Sequence, residues 1–176
     1  MSESHTPQRP LILGSTSRYR RELVERLNLP FTTVSPDVDE TPLPGEAPGA
    51  LALRLALAKA HAVAALHPEA IVIGSDQVSD LNGQPMGKPG THERAVEMLR
   101  AMRGQTVMFH TAVAVVCQAT GFAQSDVAVI RTVFRSDLSD DAIERYLRAE
   151  QPYDCAGSAK SEGLGISLLD AIHSDD

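Results

Sequence analysis

The chain has 176 residues, of which 16 are basic, 23 are acidic and 4% are aromatic, and its formal net charge is −7. This balance disfavours a nucleic-acid-binding module, because such a protein needs a broad basic surface or many stacking platforms. Its two cysteines are far apart and form no C-x-x-C pair, which argues against a disulfide framework or a zinc site.

The beginning of the chain carries no targeting signal that we recognise. The first nine residues, "MSESHTPQR", lack the basic start and the apolar stretch of a signal peptide, and no unbroken run approaches 18 apolar residues. We therefore predict a cytoplasmic protein without a membrane partner. We expect residues 1–9 to be a flexible N-terminus and residues 10–176 to form a single domain.

The segment "LILGSTSRYRRELV" predicts a strand, a short turn and a helix. Its apolar run stops at Gly14, and Ser17 is placed to cap a helix in which Tyr19, Leu23, Val24 and Leu27 recur at helical spacing. A helix N-terminus binds anions through its unpaired N–H groups. Phosphate groups are therefore the predicted ligands of Ser15, Arg20 and Arg21. The alternative is that the hydroxyls only cap the helix and the arginines are solvated.

A proline-rich loop and an alanine-rich helix follow. "FTTVSPDVDETPLPGEAPG" has four prolines and two glycines, which is typical of a long exposed loop after a strand. Its Asp39 and Glu40 are either metal ligands or solvated loop carboxylates. Residues 50–66 predict a helix that buries Leu51, Leu55, Ala58 and Ala62. Lys59 lies in its middle, where it either meets phosphate oxygens or snorkels along the core edge.

The next motif, "AIVIGSDQV", predicts a buried strand that ends just before Asp76. Ligand sites of α/β sheets lie at the carboxyl ends of strands, so Asp76 could hold Mg²⁺ or deprotonate a water; the alternative is a turn aspartate. "LNGQ" predicts a hairpin turn. The tight turn "MGKPG" would fix the direction of Lys88, a point charge suited to phosphate.

The remaining elements complete an α/β protein with a mixed sheet. Thr91 is the predicted cap of a helix that ends near Met102, and Ser139 caps a helix to about Ala149. "TVMFHTAVAVVC" and "DVAVIRTVFR" predict neighbouring antiparallel strands. The final loop, "AGSAKSEGLG", leads into a strand. It either lets a ligand approach Lys160 and Glu162 closely or is a flexible surface loop.

Taken in order, "STSRYRR", "DVDE", Lys59, "GSDQV", "GKP" and "KSEGLGI" resemble the Maf family of nucleotide pyrophosphatases from about Leu11 to Leu169. The resemblance implies an elongated mixed sheet with two lobes around a cleft, as in inosine triphosphate pyrophosphatases. It also implies a homodimer and the hydrolysis of a nucleoside triphosphate with Mg²⁺ or Mn²⁺. The implied roles are catalysis for Asp76, metal binding for Asp76 and Glu40, and substrate binding for Ser15, Arg20, Arg21, Lys59, Lys88 and Lys160.

Three positions indicate the branch of the family. Tyr19, Gln77 and Glu162 look like the branch that acts on 7-methyl-GTP rather than on dTTP and UTP. A glutamate carboxylate can accept the N1–H and N2–H of guanine together, and pyrimidines offer no such pair on that edge. The 7-methylated base is cationic, so it can stack on the ring of Tyr19. The alternatives are a broader pyrophosphatase for non-canonical nucleotides and a non-catalytic nucleotide-binding regulator.

The chain departs from the family pattern at two places. Arg18 stands where the family has a proline that is pre-organised for the first helical turn. The chain ends at "HSDD", whereas family members continue through a segment like "GLPL" and a final helix. We therefore expect the domain to lack its C-terminal end.

Overall fold

The computed structural model describes residues 9–160 and 163–174, and these form an α/β structure with a mixed sheet, as predicted. Residue 162 therefore lies outside the described residues, as does almost all of the predicted N-terminal segment. In chain order the elements are β1 Leu11–Gly14, α1 Arg18–Glu25, β2 Thr32–Thr33, α2 Pro48–Leu66, β3 Ile71–Leu81, β4 Gln84–Met86, α3 His92–Met102, β5 Thr106–Cys117, β6 Phe122–Phe134, α4 Asp140–Glu150 and β7 Leu169–Ser174.

The sheet has the strand order β2-β1-β3-β5-β6-β7, and β4 pairs with β3. β1 is parallel to β2 and β3, whereas β4 is antiparallel to β3 and β7 to β6. The predicted hairpin is confirmed, because Asn82 and Gly83 connect β3 to β4 with φ values of 54° and 82°. β5 and β6 are neighbours joined by a short connection, and such strands run antiparallel.

Contacts within the chain divide it into two compact units. The first comprises the residues up to Pro42, Leu53–Asp76 and Ala112–Asp126. The second comprises Leu43–Ala52, Gln77–Thr111 and the residues from Val127 onward. Each unit has buried side chains of its own.

In the first unit, the buried stripe of α2 differs from the predicted one. Ala58 and Ala62 are only half-buried, and the fully covered positions are Leu55, Ala56, Lys59, Ala60, Val63 and Ala64. The stripe is thus rotated by about one residue, because alanines on every side left several helical faces equally apolar in the sequence. This rotation turns Lys59 toward the interior.

Two paired glycines face α2, and one of them lets the helix approach the sheet closely. Gly14 on β1 and Gly74 on β3 are partners in the parallel register. A Cβ on Gly74 would meet the carbonyl oxygen of Ala56 and would lie 2.6 Å from the backbone nitrogen of Ala60, and a Cβ on Gly14 would lie 3.4 Å from the carbonyl oxygen of Lys59. The backbone of Ala56 and Ala60 cannot move away cheaply, so Gly74 is needed for this close packing, whereas a Cβ on Gly14 would make an ordinary contact with the Lys59 carbonyl.

The Gly74→Ala substitution should therefore lower the free energy of unfolding by about 1–3 kcal/mol through overpacking. Urea denaturation measures this change. Gly87→Ala is the matched control, since a Cβ at Gly87 would meet nothing within 4 Å. Equal stability of the two variants would contradict the close approach of α2 to β3.

In the second unit, α3 and α4 bury one apolar cluster. The predicted caps are confirmed, because the Thr91 hydroxyl accepts from the backbone of Arg94 and the Ser139 hydroxyl accepts from that of Ala142. Members of the cluster are Ala95, Leu99, Met102, Val107, Phe109, Phe134, Leu138, Ile143, Tyr146, Leu147 and Leu168. Leu138 and Ile143, which lie on either side of the Ser139 cap along the chain, both belong to it.

The apolar residues of α1 are mostly uncovered. Of the predicted face of α1, only Val24 is buried, while Leu23 and Leu27 are 55% and 56% exposed.

Within the described residues, the 19-residue α2 is long and apolar enough to cross a membrane, with a mean hydropathy of 1.4, although no unbroken apolar run reaches that length. Core helices of soluble proteins pass the same test, and α2 buries one face and holds an ionic side chain.

Candidate functional site

The junction of β1 and α1 forms as the sequence predicts. The Ser15 side chain is buried, and its hydroxyl accepts a hydrogen bond from the backbone N–H of Ser17 at 3.1 Å. Ser17 caps the helix, because its hydroxyl accepts from the backbone N–H of Arg20. The polar N-terminus of α1 thus follows directly from the end of a buried strand.

Lys59 joins two carboxylates in the first unit. Its Nζ lies 2.6 Å from Oδ1 of Asp76 and 2.7 Å from Oε1 of Glu40. The side chains of Lys59 and Asp76 are only 6% and 10% exposed, whereas that of Glu40 is 49% exposed. The Lys59 ammonium is therefore held inside the protein, unlike the snorkelling lysine of the alternative interpretation. We call Glu40, Lys59 and Asp76 the carboxylate–lysine cluster.

Arg20 is the arginine that faces this cluster. Burial lowers the pKa of its guanidinium, and the negative charges of Asp76 and Glu40 oppose that shift. Arg21 is exposed instead and donates to Glu25 at 3.1 Å along the helix. Successive helical residues point about 100° apart, so only one of the two neighbours can face the carboxylates.

We predicted that β3 ends just before Asp76, but Asp76 lies within the strand. β3 continues to Leu81, because the sheet pairs it further with β4 and β5. The polar run from Ser75 to Gln77 was therefore a misleading sign of a strand end. In the register that pairs Gly14 with Gly74, however, β1 ends before it reaches Asp76. Asp76 thus still lies at the carboxyl edge of the parallel part of the sheet.

The two carboxylates of the cluster fit a Mg²⁺ or Mn²⁺ ion that takes only a few protein ligands. One oxygen of Glu40 and one of Asp76 lie 2.7 Å and 2.6 Å from Nζ of Lys59, so the two carboxylates are close enough together to share one cation. In the described part of the chain, no group of three or more His, Cys, Asp or Glu side chains is arranged to hold a metal. Mg²⁺ often takes one or two carboxylates and completes its shell with phosphates and water. The donor set suits such an ion rather than an all-protein cage.

Arg18, which replaces the family proline, has a contact of its own. Its guanidinium carbon lies 5.2 Å from the centre of the Tyr19 ring, within the range of a cation–π interaction. Its Nη2 donates to the Tyr19 hydroxyl at 3.4 Å, and its Nε lies 3.8 Å from Glu22. The aromatic ring that we predicted to stack on a cationic base thus already has a cation beside it.

Three other predicted residues, Gln77, Lys88 and Lys160, lie in the second unit. Gln77 is exposed, and its Nε2 donates to Oγ1 of Thr111 at 2.8 Å. Lys88 is exposed after β4, next to the buried Pro89. Lys160 is mostly buried, and its Nζ lies 2.8 Å from Oε2 of Glu150. Glu162 lies outside the described residues.

The structure therefore brings together four of the predicted residues, Arg20, Glu40, Lys59 and Asp76. It also identifies two partners that the sequence analysis missed, Thr111 and Glu150. Thr111 is 34 positions from Gln77, and no local pattern connects them. For Glu150 the sequence offered one sign of a partner: it is an acidic residue at a predicted helix end, and the motif that begins with Lys160 follows it.

Comparisons with known proteins show which family this chain resembles. The family model described as "Maf-like protein" matches residues 10–176. A 7-methyl-GTP pyrophosphatase from Polaromonas sp. (strain JS666) is 71% identical over 168 residues, which cover 96% of this chain and 76% of the relative. Proteins of the same name from Albidiferax ferrireducens and Bordetella pertussis are 64% and 61% identical, covering 96% and 94% of this chain and 84% and 82% of the relatives.

Proposed function

The chain belongs to the Maf family, and from this premise we propose that it hydrolyses 7-methyl-GTP to 7-methyl-GMP and pyrophosphate, which removes a modified nucleotide. The observation that carries the proposal is the carboxylate–lysine cluster with Arg20 beside it, since this places a buried carboxylate among cations. The similarity to proteins named 7-methyl-GTP pyrophosphatase supports the choice of substrate.

In the proposed reaction, Asp76 positions a water molecule and accepts its proton. The water oxygen forms a bond to the α-phosphorus, and the bond between that phosphorus and the oxygen bridging to the β-phosphorus breaks. Pyrophosphate leaves with the bonding electrons. Positioned cations stabilise the charge that develops on the phosphate oxygens, which supplies much of the rate in phosphoryl transfer.

The charges of the cluster explain why a divalent ion is part of the proposal. Two cationic side chains, Arg20 and Lys59, face two carboxylates, so the cluster alone has little positive charge left for a triphosphate. Asp76 and Glu40 would hold the ion. When bound, Mg²⁺ or Mn²⁺ would neutralise phosphate oxygens as a Lewis acid.

We assign the remaining residues from the motifs that carry them. Ser15 and Arg20 bind phosphate at the N-terminus of α1, and Arg21 must leave Glu25 to join them. Lys88 and Lys160 add positive charge. Glu162 reads the Watson–Crick edge of the guanine, and Tyr19 and Gln77 contribute to the choice of base.

A substrate panel tests the function. We expect pyrophosphate release with Mg²⁺ from 7-methyl-GTP to exceed that from dTTP and UTP by at least about 100-fold in kcat/KM, because pyrimidines leave the carboxylate of a guanine-reading site unpaired. GTP, ITP and XTP complete the panel. Similar turnover of all the purine nucleotides would favour the broader pyrophosphatase, and tight binding without turnover would favour the regulator.

A further inference from the structure

Glu150, the last residue of α4, contacts the final loop at two residues, Lys160 and Leu164. Its Oε2 lies 2.8 Å from Nζ of Lys160, and its Oε1 accepts the backbone N–H of Leu164 at 2.8 Å. The side chains of Lys160 and Glu150 are only 16% and 14% exposed. The hydrogen bond from Lys160, with that from Leu164, holds the pKa of the Glu150 carboxyl below its usual range.

The backbone at Lys160 is held without help from Glu150. Its N–H donates to the Tyr146 hydroxyl at 3.0 Å, and its carbonyl accepts from the N–H groups of Gly163 and Gly165 at 3.0 Å each. The Tyr146 hydroxyl in turn donates to the carbonyl of Ser158 at 2.8 Å. Neutral hydrogen bonds therefore already hold the backbone of Lys160.

Two glycines are needed for the contacts that Glu150 makes. A Cβ on Gly163 would lie 2.6 Å from Oε1 of Glu150, and a Cβ on Gly165 would lie 2.6 Å from the carbonyl carbon of Lys160. A side chain at Gly163 would displace the carboxylate of Glu150, and one at Gly165 would displace the backbone that carries Lys160. The two glycines therefore leave room for the ion pair between Glu150 and Lys160, although burying two opposite charges contributes little net stability.

We propose that Glu150 is a positioning residue for substrate binding, whose carboxylate holds the Lys160 ammonium in one place and so prepares it for a phosphate group. This inference rests on the proposed function, in which Lys160 binds the substrate. A free lysine has four rotatable side-chain bonds, and ordering it on binding weakens affinity. An ion pair formed beforehand removes part of that cost.

The Glu150→Gln variant tests the inference. The amide keeps the shape and an oxygen that can accept the Leu164 N–H, but it loses the charge that holds Lys160. We expect KM for 7-methyl-GTP to rise about three- to tenfold, the cost of ordering one long side chain, with kcat within about twofold of the wild type. Glu144→Gln is the matched control, because Glu144 also lies on α4 and pairs with a cation-forming side chain, His92, at 2.8 Å; its KM should not change.

A double-mutant cycle with Lys160→Met separates positioning from loop structure. If Glu150 acts through Lys160, E150Q raises KM in the wild-type background and adds nothing to K160M. An added rise of similar size in K160M, or an unchanged KM in E150Q, would overturn the inference. Should E150Q fail to fold, Glu150→Asp carries the same comparison, because it keeps the charge but withdraws it by one methylene.

Failure of the inference differs from failure of the proposed function. If the wild-type protein hydrolyses 7-methyl-GTP but the effects of E150Q and K160M on KM are additive, only the positioning role of Glu150 is ruled out. If the wild-type protein hydrolyses no nucleotide of the panel, the proposed function is ruled out, and the inference that rests on it is ruled out as well.

Discussion

Replacing Asp76 with asparagine should lower the turnover of 7-methyl-GTP by about 10²–10⁴-fold, the usual contribution of a general base. Asparagine has the same shape, and its amide oxygen can still accept from Lys59, but it cannot take a proton from water. Binding of an analogue with a methylene bridge between the α- and β-phosphorus should change far less. Pyrophosphate release and calorimetry measure the two quantities.

Asp80→Asn is the matched control for this variant. Asp80 lies on the same strand, its side chain is 13% exposed, and it bonds to His110 at 3.0 Å and to the backbone of Gly83 at 2.7 Å. Both variants remove a well-covered carboxylate from β3, but only one removes the proposed base. Full turnover by D76N, or an equal loss in D80N, would remove Asp76 from its role.

Replacing Lys59 with methionine should lower the free energy of unfolding by about 3–5 kcal/mol, the typical cost of breaking a buried ion pair from one side. Asp76 would lose the cation 2.6 Å away while staying covered, whereas the half-exposed Glu40 can turn toward water. Methionine keeps the length of the stem, so the loss should come from charge rather than packing. Urea denaturation measures it.

Two further proteins make this prediction specific. Lys88→Met removes an exposed lysine and should change stability by less than about 0.5 kcal/mol. The double variant K59M/D76N removes both charges and should be more stable than K59M alone. If the double variant is no more stable than K59M, an unpaired Asp76 is not the source of the loss.

Much of the fold could be predicted from the sequence, because its signals are local. Ser17, Thr91 and Ser139 cap helices as predicted, since a cap needs only a hydroxyl and the N–H two or three residues later. Asn82 and Gly83 form a hairpin because they tolerate positive φ. The order of the motifs likewise identified the family, which the match to residues 10–176 confirms.

Local patterns do not determine features that depend on distant elements. Leu23 and Leu27 have the spacing of a buried face, yet they are more than half exposed. Spacing shows which residues share a helical face, but not whether another element covers that face. Likewise, the end of β3 depends on its pairing with β4 and β5, which no window around Asp76 contains.

The sequence by itself therefore determined which chemical groups are present and where helices and turns begin, because caps, turns and motifs act over a few residues. Only the tertiary structure decided which groups meet. Arg20 rather than Arg21 faces the carboxylates, because one step along a helix rotates the side chain by about 100°. Lys59 reaches Asp76 inside the protein, because Gly74 lets the backbone of α2 approach β3 more closely than any side chain would allow.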